Sequence, residues 1–316
     1  MASSVDPIRE ILPESEQPTD RPGPDDPAST AIASSLRTAI ERIQAAEALA
    51  RGGEVEGVHR LRTSARRLRS ELQAFRELVD PEWGTRLQGE LRWLGSAIGE
   101  VRDLDVLRER FAKGESDEDR RALAPLFDWL SARRAEAGRI IEETLDGDRF
   151  RALMDELRAG VADPPLVAKA KKPCRKVLPP LVAAAWKRLR KDAEGLDAHT
   201  PDPVFHEVRK RAKRARYTTE LIASALGPKV EKRSQRVMRL ARKIQDLLGE
   251  HQDAVVASGE VDAFLAQGPH DEEFRWAAVG LLERLRAAAD ASRDAFLEIR
   301  PKLDKAKNRG RLDPKD

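Results

Sequence analysis

An amphipathic helix carrying a row of cations beside its apolar stripe occurs twice in this chain. Any fold must bury both stripes and still find room for both rows. The first copy reads VHRLRTSARRLRSELQAF, from Val58 to Phe75, and the second FHEVRKRAKRARYTTELI, from Phe205 to Ile222. His59 and His206 stand 147 residues apart, and the same offset places Arg62 on Arg209, Arg66 on Lys213, Arg67 on Arg214 and Arg69 on Arg216. GEVRDLDV, beginning at Gly99, matches GEHQDAVV, beginning at Gly249, at an offset of 150. Two matches at nearly one offset read as a duplicated unit.

The spacing has physical content. His59, Arg62, Arg66 and Arg69 fall within about 80° of helix surface, while Leu61, Ala65, Leu68, Leu72 and Phe75 form a stripe about 120° away. In the second copy, Val208, Ala212, Ala215 and Ile222 are apolar, and His206, Arg209, Lys213 and Arg216 form the row. Lys232, Arg236, Arg239 and Lys243 add a further row at 4-3-4 spacing downstream.

Charge on helices is usually balanced by acids one turn away. Here it is not. Between Val204 and Lys243 there are 13 Lys or Arg against three acids, and between Val58 and Arg76 six against one. Such self-repulsion is relieved by a polyanionic ligand. The whole-chain net charge of +3 hides this segregation, because residues 1–30 hold seven acids against two arginines and residues 169–191 hold nine bases and no acid.

At 316 residues and 40% apolar content the chain can bury a core. No stretch of 18 apolar residues suggests a membrane span, and the N-terminus lacks a basic-then-apolar leader pattern. The single Cys174 allows no intrachain disulfide and fits a cytoplasmic location.

Helical periodicity without sustained alternation predicts an all-α protein. Residues 1–30 read as a disordered acidic tail. Helices are expected over 31–50 (with Ser29 or Thr30 as cap), 56–79, from about 82 through 111 with a bend at 99–105, 117–145 and 150–160. Pro- and Lys-rich residues 161–180 read as a linker between a first helical repeat, 31–160, and a second, 181–300. In the second repeat, helices are expected over 181–194, 204–226, 228–264 and 272–299, and residues 301–316 form a polar tail. Short loops between long amphipathic helices favour two related antiparallel bundles.

The pairing of His-x-x-Arg-x-x-x-Arg/Lys-Arg-x-Arg helices with a downstream Gly-Glu-x-x-Asp, twice in one helical chain, resembles the CHAD family (conserved histidine α-helical domain) over about residues 31–300. The resemblance implies two pseudo-symmetric four-helix bundles around a basic central groove or pore that binds inorganic polyphosphate, and an association with polyphosphate granules. It implies a binding role for His59, Arg62, Arg66, Arg67, Arg69, His206, Arg209, Lys213, Arg214 and Arg216. To these the spacing adds Arg236, Arg239 and Lys243. The second half departs from the first with Gln252 in place of Arg102 and Val255 in place of Asp105.

Arginine offers a planar fork of donors to phosphate oxygens, and lysine a point charge. His59 and His206, near their helix starts, are candidates for ligand contact or for packing and capping. Asp103, Asp105 and Asp253 could hold a metal, serve as helix-start dipole partners, or orient the arginines. No metal-site His or Cys spacing, no Walker or dinucleotide glycine motif and no cofactor signature is present. Aromatics at 4% give no stacking platform for single-stranded nucleic acid. The expected function is non-catalytic binding of polyphosphate, serving granules or polyphosphate-metabolising partner proteins, with no membrane contact. An RNA-binding helical protein and a metal-dependent phosphohydrolase are the alternatives.

Overall fold

The computed structural model describes residues 22–52, 55–114 and 116–305, so residues 1–21 of the acidic tail expected over 1–30 and 306–316 of the polar tail expected over 301–316 lie outside them, while the parts inside are ordered, with a helix starting at Ala28 and a 3-10 turn over Arg300–Leu303. Every named element among the described residues is helical, and none of these helices is long and apolar enough to cross a membrane.

The first half contains α1 (Ala28–Arg51), α2 (Val55–Ala74), α3 (Pro81–Ala97), α4 (Gly99–Ala112), α5 (Asp117–Ala122), α6 (Ala124–Asp146) and α7 (Asp148–Ala162). The second contains α8 (Cys174–Val177), α9 (Pro179–Asp192), α10 (Asp202–Ala225), α11 (Pro228–Leu265) and α12 (Glu272–Ile299). α2 packs between α1 and α3, and α4 against α6; in the second half α10 packs between α9 and α11, and α11 against α12. The first half thus adds α5 and α7 to a plan the second follows with four long helices. α2 and α10 pack directly on one another, joining the halves. Leu61, Ala65, Leu68 and Leu72 of α2 and Val208, Ala212, Ala215 and Ile222 of α10 are buried, so both apolar stripes lie in the core.

Three local expectations need correction. Neither Ser29 nor Thr30 caps α1: its N-cap is Pro27, and the N–H of Ala28 donates to the Lys172 carbonyl at 2.9 Å. The segment expected to be a linker provides that carbonyl and is bound along its length. Val167 N–H donates to Leu78 O, Asp80 N–H to Pro165 O and Cys174 N–H to Asp26 O. Cys174 is buried, which raises its thiol pKa to about 11. α2 stops at Ala74 rather than near Val79, because the chain turns to present Asp80 as the N-cap of α3. The Asp80 carboxylate accepts from the N–H groups of Glu82 and Trp83, with Pro81 at the first helical position.

Candidate anion site at the α2–α10 seam

Arg66 and Lys213, on offset-equivalent turns of α2 and α10, meet where the two helices pack. Lys213 is partly buried and makes no hydrogen bond or ion pair with any described residue. Burial, then the charges of Arg66, Arg209, Arg216 and Arg69, push its pKa down to about 6. Arg66 is lowered likewise by burial, against Tyr217, and by Arg62, Arg209 and Arg69. Cations of both rows therefore share one field. No described carboxylate pairs with Arg66, Arg69 or Lys213.

The outer arginines are held in a fixed pose. Arg62 donates to both Asp103 oxygens at 2.7 and 2.9 Å and to the Gly99 carbonyl at 2.9 Å. Its guanidinium lies flat on Gly99, where a Cβ would come within 3.2 Å of Cζ. Arg209 repeats the arrangement over Gly249, where a Cβ would lie 3.4 Å from Nη2, with Asp253 at 3.9 Å. The two Gly-Glu-x-x-Asp segments thus seat an arginine each. Asp103 and Asp253 are not helix-start partners, since both sit inside helices and face arginines across the interface. Asp105 pairs with Arg134 at 2.6 Å. Among the described residues no three His, Cys, Asp or Glu side chains gather to hold a metal.

Both histidines have a buried Nδ1 without a hydrogen-bond partner. Burial lowers the His59 pKa, as do Arg102, Arg66 and Arg62, against Glu56. Burial, Lys210 and Arg209 lower that of His206, which hydrogen-bonds Gln252. Arg102 and Gln252, the residues by which the halves differ, therefore occupy the same place beside each imidazole. Arg216 donates to Gln245 at 2.7 Å and stacks over the Tyr217 ring at 4.5 Å.

Five predicted residues stand apart. Arg67 turns to the other flank of α2 and donates to Glu71 at 3.1 Å and Glu220 at 3.3 Å. Burial lowers its pKa, but Glu220 and Glu71 more than reverse this. Arg42 also binds the buried Glu71, and the group lines a cavity of about 330 Å³ with Ser34, Ser35 and Thr38. Arg236, Arg239 and Lys243 are exposed and lie roughly 120–180° round α11 from Gln245, which touches Arg216. They do not join the seam. Arg214 faces Arg211, Arg188 and Arg76 rather than the central row. Sequence reasoning missed Arg92, whose charge lowers the Arg69 pKa after burial. The 150-residue offset could have flagged it, because it places Arg92 on Arg242.

Fold and site together define a class: helical-bundle proteins in which two basic helices meet at a seam whose central cations, here Arg66, Arg69 and Lys213, have no carboxylate partner among the described residues. The chain belongs to the CHAD family, whose CHAD domain profile matches residues 34–262. It is similar, at 29% identity over 320 residues, to the uncharacterized proteins MT2285 and Rv2226 of two Mycobacterium tuberculosis strains. The match takes in 95% of this chain but 56% of theirs, so the chain spans little more than half the length of those curated relatives. Among solved structures it resembles the CHAD domain of the plant Ricinus communis, with TM-score 0.71 and 25% identity over 89% of this chain and 93% of that one. PptA from Streptomyces chartreusis shares the fold, with TM-score 0.69 and 24% identity over 86% of this chain and 99% of that one.

Proposed function

We propose that this protein binds inorganic polyphosphate at the α2–α10 seam without turning it over, as a granule-associated or scaffolding module. The observation that carries this is the clustering of Lys213, Arg66 and Arg69 with no carboxylate partner among the described residues, between arginines already oriented by Asp103 and Asp253. A set of fixed cations that repel one another is stabilised by a ligand bearing many closely spaced charges. The family resemblance supports the same ligand. Binding rather than hydrolysis is favoured because the nearby aspartates are occupied by arginines, whereas phosphoanhydride cleavage uses carboxylates to hold metal ions or a nucleophile. RNA is a poorer fit, since Tyr217 is 8% exposed and lies beneath Arg216, leaving its ring no room for a stacked base.

Calorimetric titration at one fixed salt concentration tests this. Long-chain polyphosphate should bind at least 100-fold more tightly than pyrophosphate, through many simultaneous contacts. Single-stranded RNA of matched charge should bind more weakly than polyphosphate. Equal affinity for pyrophosphate and long chains, or a preference for RNA, would refute the proposal.

A further inference from the structure

Tryptophans are housed in this protein in two ways, and Trp276 fits neither. Trp83 and Trp186 are buried. Trp93 and Trp129 are partly buried, and each carries an arginine over its ring: Arg149 at 4.2 Å and Arg133 at 4.7 Å from the centroid. Trp276, on α12, is 71% exposed, and among the described residues no cation lies over it.

The Trp93 site shows what Trp276 lacks. Glu90 and Trp93, three residues apart on α3, lie on one side of that helix. Arg149 of α7 donates to both Glu90 oxygens at 2.8 and 3.1 Å while its guanidinium lies over the indole. The cation is paired at its edge and stacked on its face. Glu273 and Trp276 repeat the same Glu-x-x-Trp spacing on α12. Both line a cleft of about 290 Å³, whose other wall is α5 with Glu118 and Asp119. Asp119 accepts from the Ser116 hydroxyl at 2.8 Å, whereas Glu118 and Glu273 make no hydrogen bond or ion pair with any described residue. The start of α12 is already capped by Asp271, which accepts from the Phe274 N–H at 2.7 Å. Against these three carboxylates the cleft wall sets one cation, Arg284. Arg120 and Arg121 of α5 turn back onto the carbonyls of Ala112 and Asp117.

We infer that the α5–α12 cleft is a docking site for an arginine on a basic segment of a partner protein. Its guanidinium stacks on Trp276 and pairs with Glu273, as Arg149 does on Trp93 and Glu90, while Glu118 and Asp119 attract the cations that flank it. Charge complementarity selects this occupant, because an apolar or acidic segment would leave the carboxylates beside the exposed ring unpaired. Lysine lacks the planar fork that stacks and pairs at once. The cleft shares no residue with the α2–α10 seam, so the inference stands independently of polyphosphate binding.

The test is calorimetric titration of the full chain with an amidated hexapeptide carrying two arginines among glycines, and with its lysine and citrulline counterparts. The arginine peptide should bind at least about fivefold more tightly than the lysine peptide, and the citrulline peptide, of like shape but uncharged, should not saturate. Trp276→Leu should weaken the arginine peptide at least about fivefold, as should Glu273→Gln with Glu118→Gln. All three side chains are exposed, so melting temperatures should hold. Glu142→Gln with Glu143→Gln removes two exposed carboxylates near the far end of α6 and should leave binding in place. The inference is overturned if arginine and citrulline peptides bind alike, if the control pair weakens binding as much, or if the wild-type protein binds no arginine peptide. Sedimentation showing a dimer that Trp276→Leu dissolves would overturn it too, since the occupant would then be a second copy of this chain.

Discussion

Lys213 shows what a single residue costs in order to be ready for an anion. Its folded pKa of about 6 lies below the unfolded lysine value of about 10.4, so between these limits the unfolded chain binds more protons than the folded one. Stability attributable to this residue therefore rises as pH climbs from about 6 towards 10, and the full cost is present below 6. Lys213→Met should stabilise the unliganded protein by about 1–3 kcal/mol at neutral pH, with a smaller gain at pH 9. Thermal melts at the two pH values check this, and an equal gain at both would contradict the burial argument. The same linkage predicts that polyphosphate binding takes up protons, because an anion returns Lys213, His59 and His206 towards their charged forms. Affinity should rise as pH falls from 8 to 6, an effect that Lys213→Met diminishes. At Gly99 and Gly249 a methyl group would press on a guanidinium at 3.2 and 3.4 Å. Gly99→Ala with Gly249→Ala should therefore displace Arg62 and Arg209 and weaken binding about three- to tenfold at little cost in melting temperature. Unchanged affinity would show that their flat seating is irrelevant.

At the scale of elements, the seam depends on how closely α1 lets α2 approach. Gly57 in the first turn of α2 sits so near the last turns of α1 that a Cβ would fall 2.3 Å from the Ala50 backbone nitrogen. That neighbour is backbone and cannot swing aside. Gly57→Ala should destabilise the protein by about 1–3 kcal/mol, readable in a denaturant titration, as overpacking does generally. A neutral result would mean that the helices separate easily, and that α2 is not braced from behind. Element boundaries were largely legible in the sequence because their signals are local: Asp80-Pro81 starts α3, and Gly227-Pro228 starts α11. The expected helix over 117–145 instead breaks at Leu123, which is fully buried. The local signal was Pro125 in the first turn of α6, which has no N–H to continue the ladder of α5 and so restarts the helix.

For the whole molecule, the two rows should act as one site. Arg66→Gln with Lys213→Met removes its centre from both halves, and long-chain affinity should drop at least tenfold while stability is kept or increased. This combination separates lost binding from lost folding. Arg236→Glu with Arg239→Glu, on the outward face of α11, should change affinity by less than about threefold. If both pairs weaken binding alike, attraction is spread over the surface and the seam is not the site.

Sequence periodicity by itself determined that the chain is helical, which face of α2 and of α10 is apolar, and that each presents a cationic row at one repeated offset. These follow from the fixed angle per residue within a helix, a property of the local backbone. Which cations stay uncompensated was decided only by tertiary structure. Arg67 is neutralised by Glu220, 153 positions away, and Arg62 by Asp103, 41 away, while Lys213 meets four arginines and, among the described residues, no acid. The row of Arg236, Arg239 and Lys243 has the same spacing as the others, yet the packing of α11 turns it outward. Spacing fixes a direction on one helix, but charge balance depends on ångström-scale distances between helices, and those distances are set by how α2 and α10 pack on one another and on their neighbours.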